Sequence, residues 1–438
     1  VIQSYLEDFA AFSRNGGGGG RPWLPVVRRS ALDRFQALGF PTPKLEDWHF
    51  TSVASIAESD FRTLLAASGD VRAEHLTPFL MGQEWPLAVF VNGRFSVELS
   101  RLEGLDTKVS VMPLARAWES MPELLETHLS KVASFEDRTF TALNTAFMYD
   151  GAVIHAPADT VAAAPIHLLF ISDSNVAKSV AHPRNLIVVD RHAKLSVIES
   201  YVSLGDAGYF TNGVTEIVLG DGAHLEHYKL QRESLCAYHI GTTEVRQARD
   251  SRFVSFSFAT GAALSRTNIY TSLAGEGSSA ELNGLYIVDG TQHVDHQTSI
   301  EHVSPNCSSH EVYKGILDGS SHGVFNGKVY VHPEAQKTDG KQSNNNLLLS
   351  DRARIDTKPQ LEIFADDVKC THGATVGRLD NTAMFYLRSR GIPEKEARSL
   401  LTYAFAADVL QRIELEPLRE ALEGMVRERI VQPTEVVA

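Results

Sequence analysis

Cysteine is scarce in this chain: three in 438 residues, at positions 236, 307 and 370. Their odd number and wide spacing cannot build a disulfide framework and fit a reducing compartment, which points to the cytoplasm. No CxxC pair occurs, so the chain alone cannot hold an iron–sulfur cluster by the usual four-thiolate route. No run of about 18 apolar residues is present, so no segment reads as a transmembrane helix and no membrane partner is expected. Walker A, GxSxG, HExxH and strand-following GxGxxG patterns are all missing, which removes the commonest nucleotide, acyl-transfer and metalloprotease signatures. The formal net charge is −13 and no Lys/Arg cluster offsets it, so a nucleic-acid footprint is excluded. The opening residues Val1 to Asp8 are acidic and amphipathic, unlike a secretory signal. What is there is ordinary globular material, 43% hydrophobic and 22% charged, enough for a sizeable core. The length suits two or three domains, or one elongated repeat domain with appendages.

Residues 1–150 read as a mainly helical region with one hairpin. Leu32, Phe35 and Leu38 share a helical face, with Gly39 as the stop and Pro41 and Pro43 beyond it. The run Gly16 to Gly20 is followed by Arg21-Pro22 rather than by Lys-Ser or Lys-Thr, so it reads as a flexible linker and not a phosphate cradle. The polar-aromatic string Pro41 to Phe50 reads as a loop packing Trp48 onto the next domain. Asn92-Gly93 between β-rich arms is a hairpin signal. Helices are expected over 113–132, interrupted at Pro122, and over 139–147.

Over residues 151–375 the texture changes to strand after strand. A turn with Gly or Asp, a small or polar residue, and an alternating apolar strand recur. The anchors Leu195, Leu225, Phe253, Leu282, Val324 and Ile355 step by about 30 residues, with one longer, insertion-sized step after Leu282. That period is short for a common propeller blade and favours a stacked parallel β-helix. Asn344 to Asn346 suit a polar ladder at a solenoid turn. Residues 376–438 turn helical again: Asp380 caps one helix that Gly391 stops, and Pro393 opens the next. Ala397, Leu400, Leu401, Ala404 and Phe405 form an apolar stripe, and Leu418 to Met425 repeat the spacing. The default role of such helices is to cap the open end of a solenoid.

Two polar clusters carry chemistry. Lys369-Cys370-Thr371-His372-Gly373 places Cys370 and His372 on one strand face at period two. A thiolate beside an imidazole suits a soft metal; the alternative is a buried small thiol and a hydrogen-bonded strand end. One Cys and one His make half a tetrahedral site at best. Gln292-His293-Val294-Asp295-His296, with Glu301, His302, Cys307 and His310 behind it, resembles a metal-ligand cluster. On a strand, however, His293 and His296 point to opposite faces, which favours polar residues on a solvated sheet face. Adjacent Asp366 and Asp367 diverge and do not suit a two-carboxylate glycosidase.

Several stretches resemble the SufB/SufD family, the scaffold subunits of the SUF iron–sulfur cluster assembly machinery. They are Glu46-Asp47-Trp48, Tyr313-Lys314-Gly315, Phe325-Asn326-Gly327-Lys328, 335–339 (AQKTD), 346–350 (NLLLS), 365–377 (ADDVKCTHGATVG) and 389–392 (SRGI). The resemblance is dense over 285–410 and weaker toward Trp48. Within the family the chain is similar to the SufD type. SufB-type chains carry a cysteine where this one has Asn344 and a glutamate where it has Gly373. The resemblance implies a right-handed parallel β-helix flanked by helical domains at 1–150 and 376–438, and a non-enzymatic scaffold role. It implies that His372, with Cys370, ligates a transient iron or iron–sulfur cluster shared with a SufB-type paralogue. It also implies that the C-terminal helices bind SufC, an ABC-type ATPase. Flavin binding and a homodimer of the isolated chain stay open. The rivals are a β-helix carbohydrate-active enzyme, which needs acidic residues lining one groove, and a purely structural support subunit.

Overall fold

The computed structural model of the protein describes residues 2–14, 22–64, 69–173 and 177–431; the expected linker at Gly16 to Gly20 lies outside them. The turn chemistry explains the coil. Six successive turns hold one residue at left-handed φ: His192, Gly222, Asp250, Gly277, Asn306 and Lys337. Glycine, Asn and Asp adopt that region most readily. The next residue is always small and buried: Ala193, Ala223, Ser251, Ser278, Cys307 and Thr338. That slot gives Cys307 a structural role, its sulfur 3.4 Å from Ser278 Oγ.

Each turn of the coil contributes one strand to each of two sheets, so the fold is mainly β, a parallel β-helix of about eight turns with helices toward both ends. On one sheet Lys194–Leu204, His224–Arg232, Arg252–Ala259, Ser279–Val288, Ser308–Leu317, Thr338–Leu348 and Val368–Gly377 pair in parallel. On the other, Phe210–Leu219, Tyr238–Gln247, Leu264–Leu273, His293–His302, His322–Val331 and Arg354–Ile363 do the same. Leu195, Leu225 and Phe253 stack in register as the period predicts. The long step does not come from an insertion. Leu282 lies on the first sheet, whereas Val324 and Ile355 lie on the second, so the anchors change sheet between them.

The first coil turns are closed by antiparallel strands. Asn92 and Gly93, at φ 51° and 78°, turn Leu87–Val91 back into Arg94–Phe95, and Leu87–Val91 pairs in parallel with Ile166–Asp173. Ser110–Pro113 runs antiparallel to Ala152–Ala156 on the other sheet. The expected helices are present as Trp23–Leu38, Leu114–Ser120, Pro122–His128 and Thr139–Phe147. They are pinned to the coil by a fully buried ion pair. Arg184 donates to Glu216 at 2.7 and 3.0 Å. The same carboxylate accepts the backbone N–H groups of Ser130, Val132 and Ala133.

The C-terminal helices depart from expectation. They do not cap the open end. Glu394–Leu410 and Glu416–Val431 lie along the outer face of the first sheet, where Ala406, Val409, Leu410, Leu418 and Leu422 pack on Tyr228, Phe256, Phe258, Leu285 and Ile316. That sheet turns an apolar stripe outward, and covering it removes more hydrocarbon from water than covering a strand edge does. Asp380 caps Asn381–Ser389 through the N–H of Thr382, and Gly391 follows at φ 85°. Asn344 to Asn346 are not at a turn either. They sit inside Thr338–Leu348, where Asn344 and Asn346 point into the coil and bond each other and Tyr286 Oη.

Removing the Glu216 carboxylate strands a buried guanidinium. We expect Glu216→Ala to cost about 3–5 kcal/mol, measured as a lowered denaturant midpoint. The lumen contains several buried acids, among them Glu311, whose pKa burial pushes up to about 7. Its stabilising contribution is therefore complete below the unfolded-state value and is lost as pH rises through 7. Glu311→Gln should flatten the fall in stability between about pH 5 and 8 and raise the melting midpoint at pH 8, an effect on the order of 3 kcal/mol.

Candidate site at the open end of the coil

Val368–Gly377 and Arg354–Ile363 are the terminal strands of the two sheets, each paired on one side only among the described residues. Phe364 and Val376 are exposed beside them. An unpaired strand edge with apolar neighbours is a template for another chain. Glu362 belongs to the second sheet and His372 to the first, with a turn at 364–367 between them. His372 therefore lies in the middle of its strand rather than at a strand end.

The pairing register fixes where the two sequence-predicted ligands face. Cys370 stands opposite Gly340 and His372 opposite Gln342. Gly340 and Gln342 are inward positions: a Cβ at Gly340 would lie 3.3 Å from Cys370 Sγ, and Gln342 is buried and donates to Glu311 at 2.6 Å. Cys370 and His372 thus share the inward face, as period two predicts. No further turn covers them, so His372 is exposed at the mouth of the coil.

Their chemistry differs. Cys370 is half-buried against Val329, Val331, Ala335 and Leu361. Burial pushes its thiol above the usual range, assisted by the Asp339 carboxylate and opposed by the Gly340 backbone. It is a protonated thiol at neutral pH, reactive as a ligand only when a metal or cation displaces the proton. Among the described residues no group of three His, Cys, Asp or Glu side chains could hold a metal ion. The mouth therefore presents two donors, and a complete coordination shell needs ligands from outside this chain.

The histidine-rich stretch 292–310 builds neither a metal cluster nor a solvated face. His293 and His296 do take opposite faces. His296 is inside, stacked on Tyr286 at 5.1 Å. Asp295 and His302 are fully buried as well. The outward residues are covered by the Trp48 segment: Thr51 donates to Asp295 at 2.6 Å and lies 2.9 Å from His293 Nε2. Arg266 bonds Asp295 at 2.9 Å and places its guanidinium 3.6 Å from the Trp48 ring centre. The expected docking of Trp48 is present, and it consumes these polar groups. The sequence does not single out Arg266 or Glu311, because only strand register brings their partners to them.

The apolar stripe of the penultimate helix is displaced by about one position. Ala397, Thr402, Ala406, Val409 and Leu410 are its buried residues, while Leu400 is 50% exposed. Asn381–Ser389 has no buried residue at all, and Phe385 is 74% exposed. Leu400, Tyr403, Ile430 and Val431 line a groove of about 610 Å³ between the last two helices.

Comparison with known proteins agrees with this architecture. The family model described as the SUF system FeS cluster assembly SufBD core domain matches residues 170–405, and that of the SufBD protein N-terminal region matches 2–168. A SufBD family iron–sulfur cluster assembly protein of Synechocystis is 36% identical over 412 residues, covering 92% of this chain and 90% of the relative. The iron–sulfur cluster assembly protein SufD of Escherichia coli is 33% identical over 402 residues, covering 91% of each. SufD of Bacillus subtilis is 26% identical over 447 residues, covering 98% of each. The coil, its flanking helices and these matches across nearly the whole sequence lead to one assignment: the chain belongs to the SufBD family of iron–sulfur cluster assembly proteins.

Proposed function

We propose that this chain is the SufD-type subunit of the SUF scaffold, working in the cytoplasm without catalytic turnover of its own. In this reading its open end joins the corresponding end of a SufB-type paralogue. His372, with Cys370 as a secondary donor, supplies part of a transient iron or iron–sulfur site whose remaining ligands come from that partner. The observation that carries the reading is the incomplete donor pair at an unpaired, apolar-flanked strand edge. A shared and under-coordinated site suits a cargo that must leave again, because each missing ligand weakens retention.

His372 is exposed and packs in no core, so His372→Ala should leave folding and assembly unchanged. Iron and sulfide content of the co-purified complex should fall roughly 10–100-fold, by analogy with the loss of a metal's supporting ligand shell. Cys370→Ser should have a milder effect, since its thiol starts protonated. Normal cluster content in His372→Ala would reduce this subunit to a structural support.

In the same reading the C-terminal helices recruit SufC, the ABC-type ATPase. Support comes from the exposed side chains of Phe385 and Leu400 and from the groove that Leu400 lines, apolar surface left open on these helices. Deleting 381–438 is a poor test, because it would bare Tyr228, Phe256 and Phe258 on the sheet. Leu400→Asp and Phe385→Asp are better, being exposed in the free chain. Each should abolish co-purification of the ATPase subunit while the circular dichroism melt stays within about 2 °C of the parent, as expected for surface changes. Retained binding by both variants would refute this placement.

A further inference from the structure

The inside of the coil is apolar around its first turns; from its middle to the mouth, apolar side chains such as Leu282, Leu317 and Phe325 share it with buried polar groups such as Lys229, His296, Glu311 and Gln342. Ile154, Ile166, Leu168 and Ile187 fill the beginning. Further along, Lys229 is buried with its ammonium 5.1 Å from the Tyr201 ring centre. A Cβ at Gly241 would meet that nitrogen, so glycine leaves the room that the ammonium occupies. Register then carries an inward column from His227 to Ser255, Leu282, Glu311, Gln342 and His372. The column thus ends on the residue at the mouth.

Along this lumen many buried polar atoms have no protein partner. They include Thr243 Oγ1, Ser255 Oγ, both ring nitrogens of His296, Glu311 Oε1 and Gln342 Oε1. Leaving such atoms dry costs roughly 1–3 kcal/mol each, whereas an internal water with two to four polar neighbours satisfies several at once. Glu311 is 1% exposed; Gln342 Nε2 donates to it at 2.6 Å, and the neighbouring Thr298 hydroxyl also favours its ionised form. Gly327 opens the room that amide occupies, since a Cβ there would collide with it. The titratable group acting on Glu311 is Tyr313 on its own strand, against which His296 packs at 5.3 Å; the flanking strands present Leu282 and Gln342, and Gly327 adds no charge. Burial drives His296 down to about 4, so it is neutral near pH 7 and does not clamp Glu311 in the ionised form.

We propose that the lumen from Lys229 to the open end holds a file of internal water, and that Glu311 exchanges protons through it with the mouth. Glu311 is then a buried proton store one residue layer beneath the layer of Gln342. A proton taken from a hydronium ion or buffer acid at the mouth moves along the file to the Glu311 carboxylate, leaving the conjugate base outside and a neutral carboxylic acid inside, and the reverse transfer restores the carboxylate. The path is read from the lumen and does not rest on the proposed function.

Infrared difference spectra of the full chain against Glu311→Gln test it. We expect a protonated carboxylic acid band at about pH 6 that disappears by about pH 8 and shifts within seconds of mixing into D2O. A band that needs hours to shift, or no titrating band in that range, would overturn the proposal. Gln342→Met keeps the length of the side chain but removes its hydrogen bonds, and should slow the shift at least tenfold. Thr298→Val, lining the same stretch, is the second variant if Gln342→Met does not fold. An unchanged exchange rate in the folded variant would overturn the route to the mouth. His372→Ala should leave the exchange rate as it is, so a failure of the ligand reading and a failure of the proton path give different results.

Discussion

A parallel coil satisfies the backbone of each turn with the backbone of the next, and so it has two ends that cannot satisfy themselves. This protein treats them differently. At the first turns, Arg94–Phe95 and Ser110–Pro113 run antiparallel along the two sheets and terminate them. At the last turn Val368–Gly377 and Arg354–Ile363 stay unpaired on one side. The C-terminal helices lie against the flank of the first sheet and leave that end uncovered. The first end thus closes on strands of two and four residues, whereas the last exposes two strands of ten residues, and the Cys370 and His372 pair lies on one of them.

The flanks are held by electrostatics buried under apolar cover. Glu216 collects Arg184 and three backbone N–H groups at one point, joining the N-terminal helices to the coil at a single desolvated centre. Arg266 does similar work further along, bridging Asp295, the Asp47 carbonyl and the Trp48 ring. Removing one partner of such a pair leaves an uncompensated charge, which is why these contacts resist piecemeal loss. Exposed apolar side chains remain at the mouth, Phe364 and Val376, and on the C-terminal helices, Phe385 and Leu400.

The interior is unusual for a core in carrying ionisable groups along its axis. Glu199 accepts from Tyr201, Thr215 and His227, and Glu233 accepts from Thr211 and Gln231. These carboxylates are held ionised by their neighbours despite burial. Glu311 has fewer partners and is pushed the other way. The same residue type in one lumen therefore holds or releases its proton according to how many donors surround it.

Much of this was legible in the sequence for a physical reason. A coil repeats its turn, and a turn requires a left-handed residue followed by a small one, so the period of about 30 residues is written locally. The Asn92-Gly93 hairpin, the Asp380 cap and the pairing of Cys370 with His372 on one face follow from backbone geometry that each short segment sets by itself. The SufB/SufD resemblance likewise resides in contiguous strings. What the sequence could not decide is which residues from different turns meet. Two sheets share one period, so Val324 reads as a continuation of Leu282 although it lies on the other sheet. Asn344 to Asn346 look like turn residues until Tyr286 and Tyr313, from earlier turns, supply their partners. Whether the last helices cover the end or the flank depends on an apolar stripe assembled from Tyr228, Phe256, Leu285 and Ile316, one strand at a time. Such stripes, the Glu311 lumen and the open mouth exist only once the turns are stacked.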